Sequence, residues 1–186
     1  MVKVDGLYYF PNVFNFKSIL DIINKGKWVN VNVDNPNSRK VQQFSTGYDY
    51  QTSKLIHENV DLIPDYLLPL VDILQNKCDE LNIEYKPFNQ CIINAYEPGQ
   101  GIGKHIDSLM FCDVIGCFSC ESGANIIFRN DTEKHEIYVD PNSLYIMSGD
   151  ARFKYTHEMS SCKSDKVNGQ RVKRGKRISI TFRYIK

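Results

Sequence analysis

Apolar residues recur along the chain at two spacings, and the change from one to the other falls near residue 90. Phe16, Ile19, Leu20 and Ile23 lie three or four apart, the period of one helix face, with Asn15 as a candidate cap and Asn24-Lys25-Gly26 as a stop. A longer helix is predicted after Pro64, where Leu67, Leu70, Val71, Leu74, Cys78 and Leu81 form a continuous stripe suited to packing on a sheet. Beyond residue 90 the apolar runs become short and rich in β-branched and aromatic residues: "CIINAY", "DVIGCFSC", "ANIIFR", "HEIYV", "SLYIM", "RFKYT" and "RISITFRYI". Turn residues separate them. Closely spaced short strands without intervening helices predict a sandwich or barrel rather than βαβ units. The expected fold is α+β in one domain over residues 1–186: a double-stranded β-helix (jelly-roll) core of antiparallel strands at 91–186, with supporting helices in 1–90. One segment breaks the strand pattern. Residues 161–177, "SCKSDKVNGQRVKRGKR", carry seven Lys or Arg against one Asp and read as a long solvated loop.

Composition narrows the setting without naming a function. With 186 residues, 42% of them hydrophobic and 24% charged, the chain suits a soluble globular protein with one well-filled core. A net charge of +1 neither demands nor excludes a polyanionic partner, so any basic footprint must be local. The start, "MVKVDGLYYFPNVF", lacks the pattern of a secretory signal, and no apolar run approaches membrane-spanning length. The expectation is an intracellular monomer, in cytoplasm or nucleus, with six reduced cysteines, for which the sequon at Asn130 is a chance match. Abundant Asn, Lys and Ile suggest an AT-rich genome, such as that of a virus.

The candidate chemistry begins in "NAYEPGQGIGKHID", residues 94–107, where Asn94 and Tyr96, and then His105 and Asp107, flank a run of turn residues. Side chains two apart in extended backbone share a face, so His105 and Asp107 can hold one metal ion together. Two ligands hold an ion weakly, and His157 in "ARFKYTH" is the candidate third; His57 and His135 sit in polar, charged surroundings that read as surface. Two His and one carboxylate on one face of an octahedron is the arrangement of non-haem Fe(II) oxygenases. The C-terminal strand strengthens that reading. In "RISITFRYI" Ile178, Ile180, Phe182 and Tyr184 alternate with Arg177, Ser179, Thr181 and Arg183, so one face is apolar and the other carries two guanidiniums with two hydroxyls between them. The arginine Cα atoms lie about 20 Å apart at ~3.3 Å per residue, and inward-leaning side chains close that to the length of a small dicarboxylate. Arginine's planar fork suits a carboxylate. An iron triad beside such a clamp suggests 2-oxoglutarate as co-substrate.

Two other signals lead nowhere. "GQGIGKH" has the wrong glycine spacing for a phosphate loop, and His105 stands where Ser or Thr is needed. Cys112, Cys117 and Cys120 have a spacing like that of an iron–sulfur site, but Cys117 and Cys120 fall on opposite faces of a strand and read as small hydrophobes.

From about residue 39 to the C-terminus the chain resembles the AlkB-type Fe(II)/2-oxoglutarate dioxygenases, on "NAYEPGQGIGKHID", "SLYIMSGDARFKYTH" and "RISITFR" in the family's order. Within that family it is similar to the eukaryotic branch whose oxygenase domain is fused to a tRNA methyltransferase and hydroxylates a modified wobble uridine; "SRKVQQFSTGYDY", which includes Arg39, looks like that branch's substrate-facing segment. The resemblance implies that His105, Asp107 and His157 bind iron. It places Arg177 on the distal carboxylate of 2-oxoglutarate, Asn94 and Tyr96 in hydrogen bonds to it, Arg183 near its keto-acid end, and Ser179 and Thr181 along the pocket. The implied reaction uses O₂ and 2-oxoglutarate to oxidise a C–H bond: an N-methyl target is released as formaldehyde, and a carbon-attached one stays as the alcohol. The implied substrate is a modified or alkylated base in nucleic acid, single-stranded RNA or tRNA or a base flipped from its stack. Trp28, Phe44, Tyr48 and Tyr50 lie where the resemblance puts the substrate lid, and Lys173 and Arg174 could hold phosphates. The alternative is an oxygenase of a protein side chain.

Overall fold

A computed structural model of the protein describes residues 4–49, 52, 54–56 and 61–186, with the side chains of Tyr48 and Leu55 outside that description. In chain order the first half comprises β1 (Leu7–Phe10), α1 (Lys17–Lys25), β2 (Val29–Asn30), β3 (Lys40–Phe44), β4 (Gly47–Asp49), β5 (Lys54–Ile56) and α2 (Leu68–Glu80), the last entered through a 3-10 turn at Asp65–Leu67. The second half is β6 (Gln90–Tyr96), β7 (Ile102–His105), β8 (Ile115–Cys120), β9 (Ala124–Arg129), β10 (Lys134–Val139), β11 (Ser143–Met147), α3 (Gly149–Phe153), β12 (Thr156–Met159), β13 (Ser164–Val167), β14 (Gln170–Lys173) and β15 (Arg177–Arg183).

Two antiparallel sheets form the jelly-roll core. The major sheet runs β1-β11-β8-β15-β6-β3-β2 and the minor one β10-β9-β12-β7. Alternation decides which side chain goes where. On β15, Ile178, Ile180 and Phe182 join the layer beneath the helices, with Phe118 and Ile146 from neighbouring strands and Leu70 and Leu74 from α2. Residues of the opposite parity, among them Ile115, Cys117, Tyr145 and Met147, face the minor sheet and pack on Ile126, Phe128 and Val139. Each fully buried Leu, Ile or Phe contributes about 2 kcal/mol, so the two layers hold the sheets and helices in fixed register. The stripe on α2 is buried as its spacing predicts, and Asn15 accepts a hydrogen bond from the Lys17 amide at the start of α1. The α2 helix lies so close to the sheet that a Cβ on Gly116 would fall 2.4 Å from a Leu74 methyl.

Three expectations are corrected. The N-terminal ninety residues are more than helical support: β1 pairs with β11 and β3 with β6, so both are strands of the major sheet. The basic segment is an antiparallel hairpin of β13 and β14, turned by Asn168 and Gly169 at φ 49° and 83°, the two-residue turn that matches strand twist. The run "RFKYT" is not one strand, because residues 149–153 form a helical turn and the strand begins at Thr156.

Candidate active site

The site lies between the sheets, where β6 and β15 of the major sheet face β7 and β12 of the minor one. His105 ends β7 directly opposite His157 on β12, with ring centroids 4.3 Å apart. Asp107 follows two residues later, and one ligand atom from each of the three lies within 4.8 Å of the others, close enough to share a metal ion. Gly103 O accepts from His105 Nδ1 at 2.8 Å, which leaves Nε2 for the metal. Burial, more than any charge nearby, lowers the His157 pKa to about 4, so its imidazole is neutral near pH 7, the form that ligates. Asp107 is buried as well. Burial works to raise its pKa, but Arg183 first and then His157, His105 and Arg152 outweigh it and keep the carboxyl below its ordinary value. Arg183 Nη2 sits 2.8 Å from Asp107 Oδ1 and its guanidinium lies 4.4 Å from the centre of the Phe111 ring.

Arg177, 3% exposed, occupies the far end of the same cavity. It lies over the Tyr96 ring at 5.7 Å, and its Nε and Nη2 are buried with no hydrogen-bond partner. Two parallel N–H donors without an acceptor are costly in a folded protein and fit the oxygens of a carboxylate. Asn94, Tyr96, Ser179 and Thr181 line the wall between Arg177 and the triad, since β15 pairs with β6 so that Ser179 faces Asn94 and Arg177 faces Tyr96. A second cavity of about 350 Å³ opens above the triad; Asn94, His105, Asp107 and Arg183 line both, while Arg39, Lys104, Ile106 and Phe111 rim the outer one.

The nine residues read as iron and co-substrate ligands thus converge, and Arg183, expected near the keto-acid end of the co-substrate, pairs with Asp107. The substrate candidates divide. Arg39 reaches the mouth and donates from Nε to Asn94 Oδ1 at 3.0 Å. Phe44 does not face the mouth: it is 9% exposed and packs in the layer beneath the helices, where Trp28 is half-buried as well. Tyr50 and the side chain of Tyr48 lie outside the described residues. Lys173 is exposed on β14. Arg174 is not available to phosphates, because it turns inward, donates to Asp165 Oδ1 at 2.6 Å and to Ser160 O, and is 7% exposed. Tyr145, Cys117 and Arg152 are among the residues of the site not singled out in the sequence for it. Tyr145 and Cys117 line the inner cavity from β11 and β8, with Thr181 Oγ1 donating toward Cys117 Sγ at 3.5 Å. Arg152 sits behind Asp107. Nothing in their local sequence signals a site, since each looks like an ordinary core or surface residue of its element.

Residues 15–183 match the family described as the 2OG-Fe(II) oxygenase superfamily. The chain belongs to that superfamily. It is an Fe(II)/2-oxoglutarate-dependent dioxygenase, and the metal ligands and orphaned arginine donors fit the iron and co-substrate that such enzymes use with O₂. The oxygenase is 36% identical over 179 residues to the uncharacterized protein L905 of Acanthamoeba polyphaga mimivirus, covering 91% of this chain and 78% of that one. It is 33% identical to the tRNA (carboxymethyluridine(34)-5-O)-methyltransferase ALKBH8 of Macaca fascicularis, a match covering 82% of this chain but 26% of that protein, so the oxygenase spans about a quarter of that relative. Among solved structures it superposes on OsALKBH1 with a TM-score of 0.74 at 16% identity, covering 98% of each chain, a likeness of fold. No described helix is long and apolar enough to cross a membrane.

Proposed function

We propose that this oxygenase oxidises a modified or alkylated base in nucleic acid, with single-stranded RNA or tRNA as the preferred carrier. The observation that carries the reading is the mouth above the triad. Arg39 and Lys104 bring positive charge to it, Ile106 and Phe111 bring apolar surface, and among the described residues that line it the acidic one is Asp107, already held by Arg183. A flat base between phosphates matches that combination, and tRNA-modifying relatives support it. A base stacked in a duplex would not reach a triad at the bottom of a cleft, so it enters unstacked.

In this reading His105, Asp107 and His157 hold Fe(II), and Arg177 takes the distal carboxylate of 2-oxoglutarate as a bidentate fork. Asn94 and Tyr96 hydrogen-bond the co-substrate, and Ser179 and Thr181 line its channel. Arg183 keeps one Asp107 oxygen in an ion pair, which leaves the other for the metal. With iron, 2-oxoglutarate and O₂ bound, the site supplies oxidative decarboxylation to succinate and CO₂, coupled to oxidation of a substrate C–H bond. Lys173, exposed on the hairpin, is the phosphate contact of this reading. The mimivirus relative supports a viral source, and six free thiols suit an intracellular compartment. The test is mass spectrometry of nucleosides from a panel of modified oligonucleotides and tRNA, with histone peptides as the protein arm, incubated with the oxygenase, Fe(II) and 2-oxoglutarate. A mass change on a nucleoside is expected. A change on a peptide residue alone would overturn the nucleic-acid reading in favour of the protein one.

A further inference from the structure

Arg152 is 2% exposed, the largest fully buried side chain among the described residues, yet it makes no ion pair within hydrogen-bond distance. Its guanidinium is spent on backbone. Nη1 donates to Asp107 O at 2.9 Å, Nη2 to Ser108 O at 2.7 Å and to Phe111 O at 3.3 Å, and Nε to Cys112 O at 3.3 Å. All four acceptors belong to the segment that begins at the metal carboxylate. It forms no strand, and its far half is joined to the C-terminus by the Phe111–Ile185 bridge and a bond from the Cys112 amide to Tyr184 O, whereas the Asp107 carbonyl at its start takes its hydrogen bond from Arg152.

Arg152 also sits at a junction. It lies on α3, the single turn that leads into β12, and His157 follows five residues later. The same guanidinium therefore ties the segment carrying one metal ligand to the segment carrying another. A third link runs through Phe111, whose carbonyl Arg152 holds while its ring lies under Arg183, the residue paired with Asp107. Both faces of the Asp107 environment depend on the cage: its peptide directly, and its ion-pair partner by way of Phe111.

We propose that Arg152 is a positioning residue for the metal centre, holding the 107–112 segment by its carbonyls so that the Asp107 carboxylate stands ready between Arg183 and His157. The proposal rests on the reading of His105, Asp107 and His157 as the metal ligands. Groups that orient a ligand from behind set metal affinity as well as geometry, and losing one costs about 10–100-fold in affinity. A neutral side chain of similar length removes every bond of the cage. Lysine keeps the charge but concentrates it at one atom, which cannot span four carbonyls as a planar fork does.

The experiment titrates metal-free protein with Co(II), followed by its visible absorption, and with Mn(II), followed by the loss of free-ion paramagnetic resonance. Arg152→Met should weaken both affinities at least tenfold, and Arg152→Lys by a smaller factor. Arg174→Met, which removes another buried guanidinium at the hairpin, serves as the matched control: it should lower the melting temperature and leave metal affinity within twofold of wild type. If wild type itself bound neither ion, the metal reading would fail. If wild type bound both and the Arg152 variants matched it, or if Arg174→Met lost affinity equally, the positioning role alone would be overturned. Should Arg152→Met not fold, Arg152→Lys carries the test; failure of both to fold would assign Arg152 to the fold alone and overturn the proposal as well.

Discussion

Replacing Arg177 should separate folding from co-substrate binding, because its guanidinium is better satisfied by a ligand than by the protein. Nε and Nη2 are buried without partners, and the residue is 3% exposed. A charge-assisted hydrogen bond contributes about 1.5–3 kcal/mol. Arg177→Lys keeps the charge and loses one bond of the fork, a loss of about 2 kcal/mol, which corresponds to roughly 30-fold weaker 2-oxoglutarate at 1.4 kcal/mol per tenfold. Arg177→Met loses both bonds and should weaken binding more than about 100-fold on the same scale. The sign of the effect on the ligand-free protein is opposite. A buried cation with unpaired donors costs desolvation energy that an apolar side chain of similar length does not, so Arg177→Met should melt at or above the wild-type temperature without ligand. Thermal melts with Mn(II), with and without 2-oxoglutarate and free of O₂, check both halves. Wild type should gain about 2.7 kcal/mol at a ligand concentration 100 times Kd, and Arg177→Met almost nothing. Equal stabilisation of wild type and Arg177→Met by 2-oxoglutarate would place the carboxylate elsewhere in the cavity and refute the reasoning.

Other expected outcomes follow from the same geometry. His157→Ala should abolish succinate formation and remove metal-dependent stabilisation, while the metal-free fold survives; retained turnover would take His157 out of the metal site. Gly116→Ala should destabilise the fold by about 1–3 kcal/mol through overpacking, since the new Cβ meets Leu74. Combining it with Leu74→Ala should cost less than the two losses added, and strict additivity in urea melts would count against that contact. Lys173→Ala should weaken single-stranded RNA binding and lower the slope of log K against log salt by about 0.7, the share of one phosphate contact. Arg174→Met should instead lower stability by about 3 kcal/mol and leave that slope unchanged.

Features that depend on neighbours a few residues away were legible from the chain alone. Strand period two separated Arg177, Ser179, Thr181 and Arg183 from the apolar face of β15, and helical period marked the buried stripe of α2, because local backbone geometry alone sends those side chains to one side or the other. His105 and Asp107 were legible for the same reason, and His157 by elimination among few histidines. The basic run at 161–177 reads as a solvated loop from its charge, and only the pairing of Ser164–Val167 with Gln170–Lys173 around Asn168 and Gly169 makes it a hairpin. Other features arise where distant segments meet. Phe44 is core rather than a stacking surface because β3 joins the major sheet beneath the helices. Arg174 is buried because Asp165, nine residues earlier, comes back to it across the hairpin. Arg152 becomes a cage for the Asp107 segment only when β12 is laid beside β7, since the carbonyls that satisfy its guanidinium lie about forty residues away along the chain and carry no side-chain signature at all.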